Sequence, residues 1–349
     1  MFKIFYSNGQ ADHLTETVNG AITVAPHPES PRRPGLIRDA LVNEFSAPVI
    51  TPAAAGIQPG AAIAAIDAVH APAYRIFIEK ICADLVPGEF FIPSGGVRNK
   101  LELDKAPIRK QAGFYNFGGD TPVSRQTHAA AIWSVEAALA GVGALLAGEK
   151  IAFALCRPPG HHAEHDRYGG FCFFGNAAIA ADQLARRGAL PGAKHAKVAV
   201  IDVDYHHGNG TQHLLFERFD TFYLSLHGDP RYAYPHFSGW PDEVGRGAGE
   251  GFNLNLPLPH DTDKTHYLAT LSKGLDAVRE FGPEFVIISL GFDIHKNDPV
   301  GGLGLETGDF RDIALALKSL DRPTLVVLEG GYSEPDLGPS ACAFFSAWM

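Results

Sequence analysis

Cysteine is scarce in this sequence of 349 residues. The four cysteines are Cys82, Cys156, Cys172 and Cys342, and no two of them stand in a Cys-x-x-Cys spacing. The pattern argues against a zinc ribbon and a dense disulfide framework, because both need closely spaced cysteines. We therefore expect reduced thiols and a cytoplasmic protein. Internal repeats and low-complexity tracts are also absent.

Positive charge is scarce as well. Lys and Arg total 29 against 39 Asp and Glu, so the formal net charge at pH 7 is -10 and the isoelectric point is near 5.9. A surface that binds nucleic acid or an anionic membrane needs clustered Lys and Arg to neutralise phosphates. The composition argues against both partners and suits a cationic one.

Long apolar runs are few. The first ten residues, MFKIFYSNGQ, become polar too early for the apolar core of a signal peptide, so we expect no export signal. The segment 129–148 is apolar, but Ala and Gly dominate it and Glu136 interrupts it. This composition favours a packed helix over a membrane span.

Short apolar runs alternate with helical patterns along the chain. Runs with strand-like composition lie at 2–6, 151–155, 197–204, 221–226, 252–258, 285–291 and 324–330. The central runs are continuously apolar, which is typical of parallel strands covered on both faces. Helical patterns fill gaps at 176–187, 263–281 and 307–320. The sequence predicts one α/β domain over residues 1–349, with a central, mostly parallel sheet and helices on both faces.

Two segments break this rhythm. Residues 87–127 are rich in Gly and Pro without a clear period, which predicts a long structureless loop with a role in function or assembly. Residues 227–251 contain GRGAGEG, which is reminiscent of a dinucleotide fingerprint. That fingerprint needs a strand before it and a helix after it, whereas a predicted strand follows here. We therefore expect no nucleotide site in this segment.

Titratable residues follow four of the predicted strands directly. The segments are RPPGHHAEHDRYGGF at 157–171, DVDYHHGNG at 202–210, GFDIHKNDP at 291–299 and GGYSEP at 330–335. Ligands of open α/β sheets gather beyond the carboxyl ends of the strands. We therefore expect the four segments to meet at one site.

Two of these segments carry the residue types of a metal centre. Side chains at i and i+2 of an extended chain point the same way, so Asp204 and His206 can bind one ion while Asp202 lies one step deeper. Asp293, from another strand, completes a three-ligand set. Two carboxylates and a neutral imidazole neutralise a divalent cation and leave positions open, as in catalytic zinc sites. Oxygen-rich ligation also suits Fe(II), Mn(II) or Co(II).

Each of these residues has an ordinary explanation when taken alone. Asp293 could be a turn or cap residue, and Asp202 could serve only to orient a ligand. The pair of His161 and His162 is unremarkable in a chain with 16 histidines. Together they favour a metal site, because several titratable groups at successive strand ends would otherwise lie in apolar surroundings without a partner.

The motifs RPPGHH, DVDYHHGNG, GFD and EGGY resemble those of the histone deacetylase-like zinc amidohydrolases of the arginase/deacetylase superfamily. The resemblance extends from the N-terminal strand to about residue 335 and implies the arginase/deacetylase fold. Within the family, FYNFGGDTPVS, SLHGDPRYAYPHFSGW and GRGAGEG are similar to stretches of bacterial acetylpolyamine amidohydrolases. The resemblance therefore implies a zinc hydrolase that removes acetyl groups from polyamines or similar small primary amines.

Residue roles follow from the resemblance where the motifs match. It implies three zinc ligands, Asp204, His206 and Asp293. It implies a general base and acid at His162, an electrostatic and hydrogen-bonding partner at His161 and an oxyanion donor at Tyr332. Tunnel walls are implied at Phe171 and Tyr234. A structural potassium site is implied at the main-chain carbonyls of Asp202, Asp204, His206 and Leu226 and the side chains of Asp202 and Ser225.

These assignments cover the needs of amide hydrolysis. A divalent zinc ion lowers the pKa of water from about 15.7 toward about 7. A preplaced donor such as Tyr332 is typically worth about 10²–10³ in rate. His162 can then protonate the amine as it leaves.

Asn209 departs from the pattern of many histone deacetylases, which have an aspartate paired with the second histidine. A neutral partner raises the pKa of that histidine less than a carboxylate does. The asparagine is common in bacterial branches of the family, so we interpret it as a mark of the subfamily.

Selectivity for a polyamine would have to come from the long loop. The resemblance implies that Asp120 binds the distal ammonium group, with Glu16 as a second candidate. Val300 departs from the eukaryotic polyamine deacetylases, where a glutamate stands nearby.

In the relatives the loop also builds a homodimer and narrows the entrance. The aromatic residues Phe114, Tyr115 and Phe117 of segment 87–127 suit such an interface. The basic residues of this segment would repel a polyamine near the entrance, so we interpret them as solvated or dimer-facing: Arg98, Lys100, Lys105, Arg109 and Lys110.

Three other functions fit parts of the pattern. The same chemistry could act on acetyl-lysine in proteins. A metal-containing binding protein without turnover is disfavoured by the intact His161, His162 and Tyr332. A ureohydrolase with two manganese ions needs additional acidic ligands, and the tandem histidines and the GGY motif favour deacetylation instead.

Overall fold

The apolar runs of the sequence become strands of one sheet. The structure, a computed structural model, describes residues 1–13, 27–93, 103–189 and 192–349. Within them the strands are β1 (Lys3–Phe5), β2 (Val49–Ile50), β3 (Phe90–Phe91), β4 (Val123–Ser124), β5 (Ile151–Ala154), β6 (Val198–Asp202), β7 (Thr221–Gly228), β8 (Asn253–Leu258), β9 (Phe285–Leu290) and β10 (Thr324–Leu328).

Helices connect most of these strands. In the same described residues they are α1 (Arg33–Phe45), α2 (Ala61–Asp67), α3 (Pro72–Asp84), α4 (Ile108–Tyr115), α5 (Thr127–Leu146), α6 (Asn176–Arg187), α7 (Asn209–Leu215), α8 (Lys264–Phe281), α9 (Asp309–Lys318) and α10 (Glu334–Phe345).

Eight strands form a single sheet in the order β2-β1-β5-β10-β9-β6-β7-β8. Every neighbouring pair in it is parallel. The order places β5, β10, β9 and β6 side by side, so the chain segments that follow them emerge at one edge. The predicted α/β fold class with a central parallel sheet is confirmed.

Both faces of the sheet are covered by hydrophobic cores. In β10, Val326 belongs to one core, and Leu325 and Val327 belong to the other. Helices α1, α8, α9 and α10 supply the first core, while α5 and α6 supply the second. Because successive side chains of a strand point to opposite faces, two buried faces require continuously apolar strands, as the sequence has.

The apolar segment 129–148 lies in helix α5. This helix is long and apolar enough to cross a membrane by length and composition alone, yet 61% of its most apolar window is buried within the protein. It packs against β5 and α6, and burial raises the pKa of Glu136. The packing agrees with the interpretation of a core helix.

The prediction of a structureless segment at 87–127 is wrong in part. Helix α4 lies inside it, and β3 pairs with β4 in a small antiparallel sheet. An eight-residue helix, IRKQAGFY, is too short to show a period among prolines and glycines. Arg109 forms ion pairs with Asp84 and Glu89, whereas Arg98 and Lys100 lie outside the described residues.

Close packing of α5 on the sheet leaves little room for a side chain at Gly141. A Cβ atom on Gly141 would lie 2.4 Å from Leu325 Cδ1, whereas a Cβ atom on Gly143 would meet nothing within 4 Å. We expect Gly141→Val to lower the free energy of unfolding by about 1–3 kcal/mol through overpacking. Gly143→Val, with the same change in helix propensity, should stay within about 0.5 kcal/mol of the parent. Equal effects of the two substitutions in chemical denaturation would contradict this packing.

Candidate metal centre and active site

The four strand-end segments meet at the carboxyl edge of the sheet. Residues of three of these segments, with Val300 directly after the fourth, line a pocket of about 330 Å³. Seven of the residues singled out in the sequence line it: Asp120, His162, Phe171, His206, Tyr234, Val300 and Tyr332. Convergence of loops from adjacent parallel strands is the expected location of a ligand site in such a sheet.

Asp204, His206 and Asp293 lie together beside this pocket, and His206 lines it. One possible ligand atom of each lies within 4.8 Å of the other two. His206 Nδ1 is 3.0 Å from Asp293 Oδ2 and 3.2 Å from Asp204 Oδ1. All three side chains are buried.

The local geometry differs from the extended segment expected at 202–206. Strand β6 ends at Asp202, so Asp204 and His206 lie in the loop that follows. The Asp204 N–H donates to Asp202 Oδ1 (3.2 Å), and the His206 N–H donates to Asp204 Oδ1 (2.9 Å). Two successive turns in which an aspartate accepts from the backbone two residues ahead therefore bring the side chains together.

The donor set fits a divalent cation. Two glycines leave room around the carboxylates: a Cβ atom on Gly330 would lie 2.3 Å from Asp293 Oδ2, and one on Gly291 would lie 2.2 Å from Asp204 Oδ2. Burial, reinforced by Asp204, raises the pKa of Asp293 to about 7. Among the described residues, neither carboxylate is paired with Lys or Arg. A bound cation would supply the missing positive charge.

The tandem histidines have different partners. His161 Nδ1 lies 3.1 Å from Asp202 Oδ2, and His162 Nδ1 lies 2.8 Å from Asn209 Oδ1. Burial lowers the pKa of His161, but Asp204 and Asp202 outweigh it and raise that pKa to about 10. Burial, together with His161, holds the pKa of His162 well below its usual value. Adjacent groups with diverging pKa values are suited to different parts in proton transfer.

Aromatic side chains form the walls of the pocket. The Tyr332 ring lies edge-on to Phe171 at 5.8 Å, and the Tyr234 ring lies edge-on to His162 at 5.0 Å. Phe171 has a φ of 67°, in the left-handed region, and its N–H donates to Thr121 Oγ1 at 2.8 Å. Such a conformation is costly for a bulky residue and is retained where the surroundings fix it.

The residues discussed for substrate specificity differ in their position relative to the pocket. Asp120 lines the pocket, half-buried, and Thr121 Oγ1 donates to its Oδ1 at 2.9 Å. Val300 also lines the pocket. Glu16 lies outside the described residues.

The residues expected to hold potassium are all buried. Asp202 and Ser225 face each other across β6 and β7, and Leu226 follows in β7. Asp202 Oδ2 also accepts from Tyr223 Oη at 3.0 Å, and Ser225 Oγ lies 2.8 Å from His227 Nδ1. The side chains therefore also belong to a polar network of their own.

Two acidic residues that position the site escaped the sequence analysis. Glu329, buried after β10, accepts the N–H groups of Gly160 (2.7 Å) and His161 (3.1 Å), and burial raises its pKa to about 7. Asp298 accepts the N–H group of Tyr332 at 2.6 Å. Both stand in strand-end motifs, EGGY and KNDP, which is the signal that could have identified them.

A basic pair under Tyr332 was missed as well. The guanidinium of Arg33 lies 4.7 Å from the Tyr332 ring centroid. Arg33 and Arg157 both donate to Glu29 Oε1, at 3.0 and 2.9 Å. All three charged side chains are fully buried. Arg33 also donates to the carbonyl of Gly331 at 2.6 Å, which fixes the backbone next to Tyr332.

His161, Cys172 and Glu329 also lie close enough to hold an ion. Their polar atoms, however, already have protein partners: His161 pairs with Asp202, and Glu329 accepts two backbone N–H groups. Burial holds the pKa of the Cys172 thiol well above its usual value. A protonated thiol is a poor metal ligand, so this group is the weaker candidate.

Comparison with known proteins agrees with this architecture. A crystal structure of an acetylpolyamine aminohydrolase from Burkholderia pseudomallei superimposes with a TM-score of 0.90 at 35% identity, covering 100% of this chain and 98% of that one. The acetylpolyamine amidohydrolase of Mycoplana ramosa is 37% identical over 328 residues, 93% of this chain and 92% of that protein. One from Burkholderia pseudomallei is 39% identical over 291 residues, 82% of this chain and 83% of that protein.

The fold is that of the metal-dependent hydrolases of the arginase/deacetylase class. Residues 27–348 match the family profile described as the histone deacetylase domain. The chain therefore belongs to the histone deacetylase family, in which zinc dependence is typical. The family predicted from the four motifs is confirmed.

The many backbone groups bound by Asp298 give it a measurable role. Besides Tyr332, it accepts the N–H groups of Val300, Gly301 and Ser333. We expect Asp298→Ala to lower the free energy of unfolding by about 2–4 kcal/mol, because one buried and three half-buried N–H groups lose their acceptor. Asp276→Ala, with a 73% exposed side chain, is the control and should change stability by less than about 0.5 kcal/mol. Equal denaturation midpoints for Asp298→Ala and Asp276→Ala would refute the positioning role of Asp298.

Proposed function

We propose that the protein is a zinc-dependent deacetylase that releases acetate from acetylated polyamines or similar small primary amines. The observation that carries the proposal is that Asp204 and Asp293 gather around His206, which lines one pocket with His162 and Tyr332. The relatives named acetylpolyamine amidohydrolases support the substrate class.

Asp204, His206 and Asp293 would hold the zinc ion. When bound, zinc supplies Lewis acidity, which lowers the pKa of water and polarises a carbonyl group. The two carboxylates balance the charge of the ion, and the imidazole binds as a neutral ligand. Fe(II), Mn(II) or Co(II) would suit the same oxygen-rich set.

His162 would transfer a proton from the attacking water to the leaving amine. Its low pKa keeps the imidazole neutral and able to accept a proton from the attacking water. The water oxygen bonds to the acetyl carbon, the C–N bond breaks, and His162 passes the proton to the departing amine. His161, held by Asp202, supplies positive charge beside this transfer.

Tyr332 would donate a hydrogen bond to the carbonyl oxygen of the substrate. Burial holds the pKa of its phenol well above the usual value, so the group remains a hydrogen-bond donor. Its backbone is fixed by Asp298 and its ring by Arg33. A donor placed in advance stabilises the negative charge that develops on the oxygen during the attack.

The pocket suits a thin chain that ends in a cation. Phe171 and Tyr234 would contact the methylene groups, and the Asp120 carboxylate would bind the distal ammonium group. The net charge of -10 would also attract a cationic substrate. Val300 offers no charge to the ligand, which keeps acetyl-lysine in a peptide as the alternative substrate.

Further parts of the proposal rest on the resemblance to the family. Asp202, Asp204, His206, Ser225 and Leu226 would hold a structural potassium ion. Segment 87–127 would contribute to a homodimer and narrow the entrance. All four cysteines are free, which supports a reducing, cytoplasmic location.

Substrate preference tests the proposal directly. We expect kcat/KM for N-acetylputrescine to exceed that for an acetyl-lysine peptide by about tenfold or more, since each 1.4 kcal/mol of added interaction is worth a factor of ten. Asp120→Asn should raise KM for N-acetylputrescine and leave hydrolysis of the uncharged N-butylacetamide unchanged. A kcat/KM that favours the peptide would reject the polyamine assignment. Equal losses on both amides would reject the role of Asp120.

Zinc content separates metal ligation from catalysis. Asp293→Asn removes one of two charged ligands, so we expect the purified protein to lose both zinc and activity. Tyr332→Phe should keep zinc but lose about 10²–10³ in kcat, as a missing oxyanion donor does. Asp276→Asn, at an exposed position, is the control for both measurements. Full zinc content in Asp293→Asn, or full activity in Tyr332→Phe, would overturn these roles.

A further inference from the structure

The carboxylate of Glu164 contacts Asn209, the neutral hydrogen-bond partner of His162. Asn209 Nδ2 lies 2.9 Å from Glu164 Oε1, on the side away from the imidazole. Glu164 is only 15% exposed and lines a separate surface pocket of about 660 Å³. Hydrogen bonds therefore connect Glu164, at the wall of the surface pocket, through Asn209 to the general base His162.

The donors and acceptors in this series of hydrogen bonds allow one orientation of the Asn209 amide. An ionised carboxylate can only accept hydrogen bonds, so the Asn209 side facing Glu164 must be its NH₂ group. The amide oxygen must then face His162 Nδ1, which consequently carries the hydrogen. The lone pair of the neutral imidazole is left on Nε2. The His162 carbonyl also accepts from Nδ2, but at the longer distance of 3.4 Å. Loss of the carboxylate would therefore remove the shorter hydrogen bond that keeps the NH₂ group turned away from His162 Nδ1.

Glu164 is held in place by the protein around it. Its N–H donates to the Arg167 carbonyl at 2.9 Å, and its own carbonyl lies 2.8 Å from His70 Nδ1. Asn209 is the first residue of α7, and its Nδ2 lies 3.4 Å from the His162 carbonyl. The other carboxylate oxygen of Glu164 lies 3.9 Å from His213 Nδ1.

We infer that Glu164 is a positioning residue, which orients the Asn209 amide and thereby fixes the tautomer of His162. The inference deepens the proposed function, because it rests on His162 as the proton-transfer group. It also gives a reason for asparagine at position 209. An aspartate there would place a second carboxylate oxygen about where Nδ2 lies, 2.9 Å from Glu164 Oε1, and like charges at that distance repel.

Substitutions at Glu164 separate orientation from mere presence of the side chain. In the zinc-loaded full-length protein, we expect Glu164→Leu to lower kcat for the acetylated amine tenfold or more, with KM little changed. Glu164→Gln can either accept from Asn209 or donate to it, so its kcat should lie between those of the parent and Glu164→Leu. Glu217→Gln alters an exposed carboxylate of the same surface pocket and is the control, expected to be unchanged. An unchanged kcat in Glu164→Leu would overturn the inference.

A double-mutant cycle tests the pairing with Asn209. We expect Asn209→Asp alone to lower kcat, because two carboxylates then meet. Adding Glu164→Gln to Asn209→Asp should restore kcat at least tenfold, since the new amide can donate to the new carboxylate. Additive losses would contradict direct coupling between the two positions. This cycle stays informative even if Glu164→Leu does not fold.

A readout without catalysis distinguishes this inference from the proposed function. Long-range ¹H–¹⁵N spectra report which imidazole nitrogen carries the hydrogen, and comparison with His162→Ala assigns the signal. We expect the Nδ1–H tautomer in the parent, and a share of the Nε2–H tautomer that is small in Glu164→Gln and larger in Glu164→Leu. A tautomer shift without any acetate release would leave the positioning role standing and defeat the proposed function. The same tautomer in all three proteins would defeat the positioning role.

Discussion

Two carboxylates buried side by side dominate the architecture of this protein. Asp204 and Asp293 approach the same imidazole at the carboxyl edge of the sheet, with no Lys or Arg paired to either in the described residues. Leaving such charge unpaired in an apolar interior would cost several kcal/mol per ion. A divalent cation would resolve that conflict, and Gly291 and Gly330 keep the space around the carboxylates open. Under the proposed function, the stability of the fold and its chemistry would be linked through one ion.

The remaining site residues are held by acidic groups that bind backbone. Glu329 orients the loop that carries the tandem histidines, and Asp298 orients the loop that carries Tyr332. Each is buried. Glu329 accepts two backbone N–H groups and Asp298 accepts four, which ties the loops to the residues that follow the strands. Preorganised donors and acceptors of this kind spare the reaction the cost of ordering them at the moment of bond breaking.

The sequence was informative where a pattern is repeated, and uninformative where a contact depends on distant parts of the chain. Continuous apolar runs predicted the strands because both sheet faces are buried, and strand ends predicted that residues 202–210 and 291–299 would meet. Short elements such as β2 and α4 have no measurable period, so they were missed. The bond from Asn209 to Glu164 joins positions 45 residues apart, and the direction of an amide is not encoded in composition. The two turns that gather Asp204 and His206 likewise arise after the strand has ended.

The central claim is that Asp204, His206 and Asp293 hold one zinc ion. Anomalous diffraction from crystals of the zinc-loaded protein, recorded on both sides of the zinc absorption edge, tests it most directly. The account predicts one strong peak in contact with these three side chains. A peak between His161, Cys172 and Glu329 instead, or no peak beside Asp204, His206 and Asp293, would contradict it.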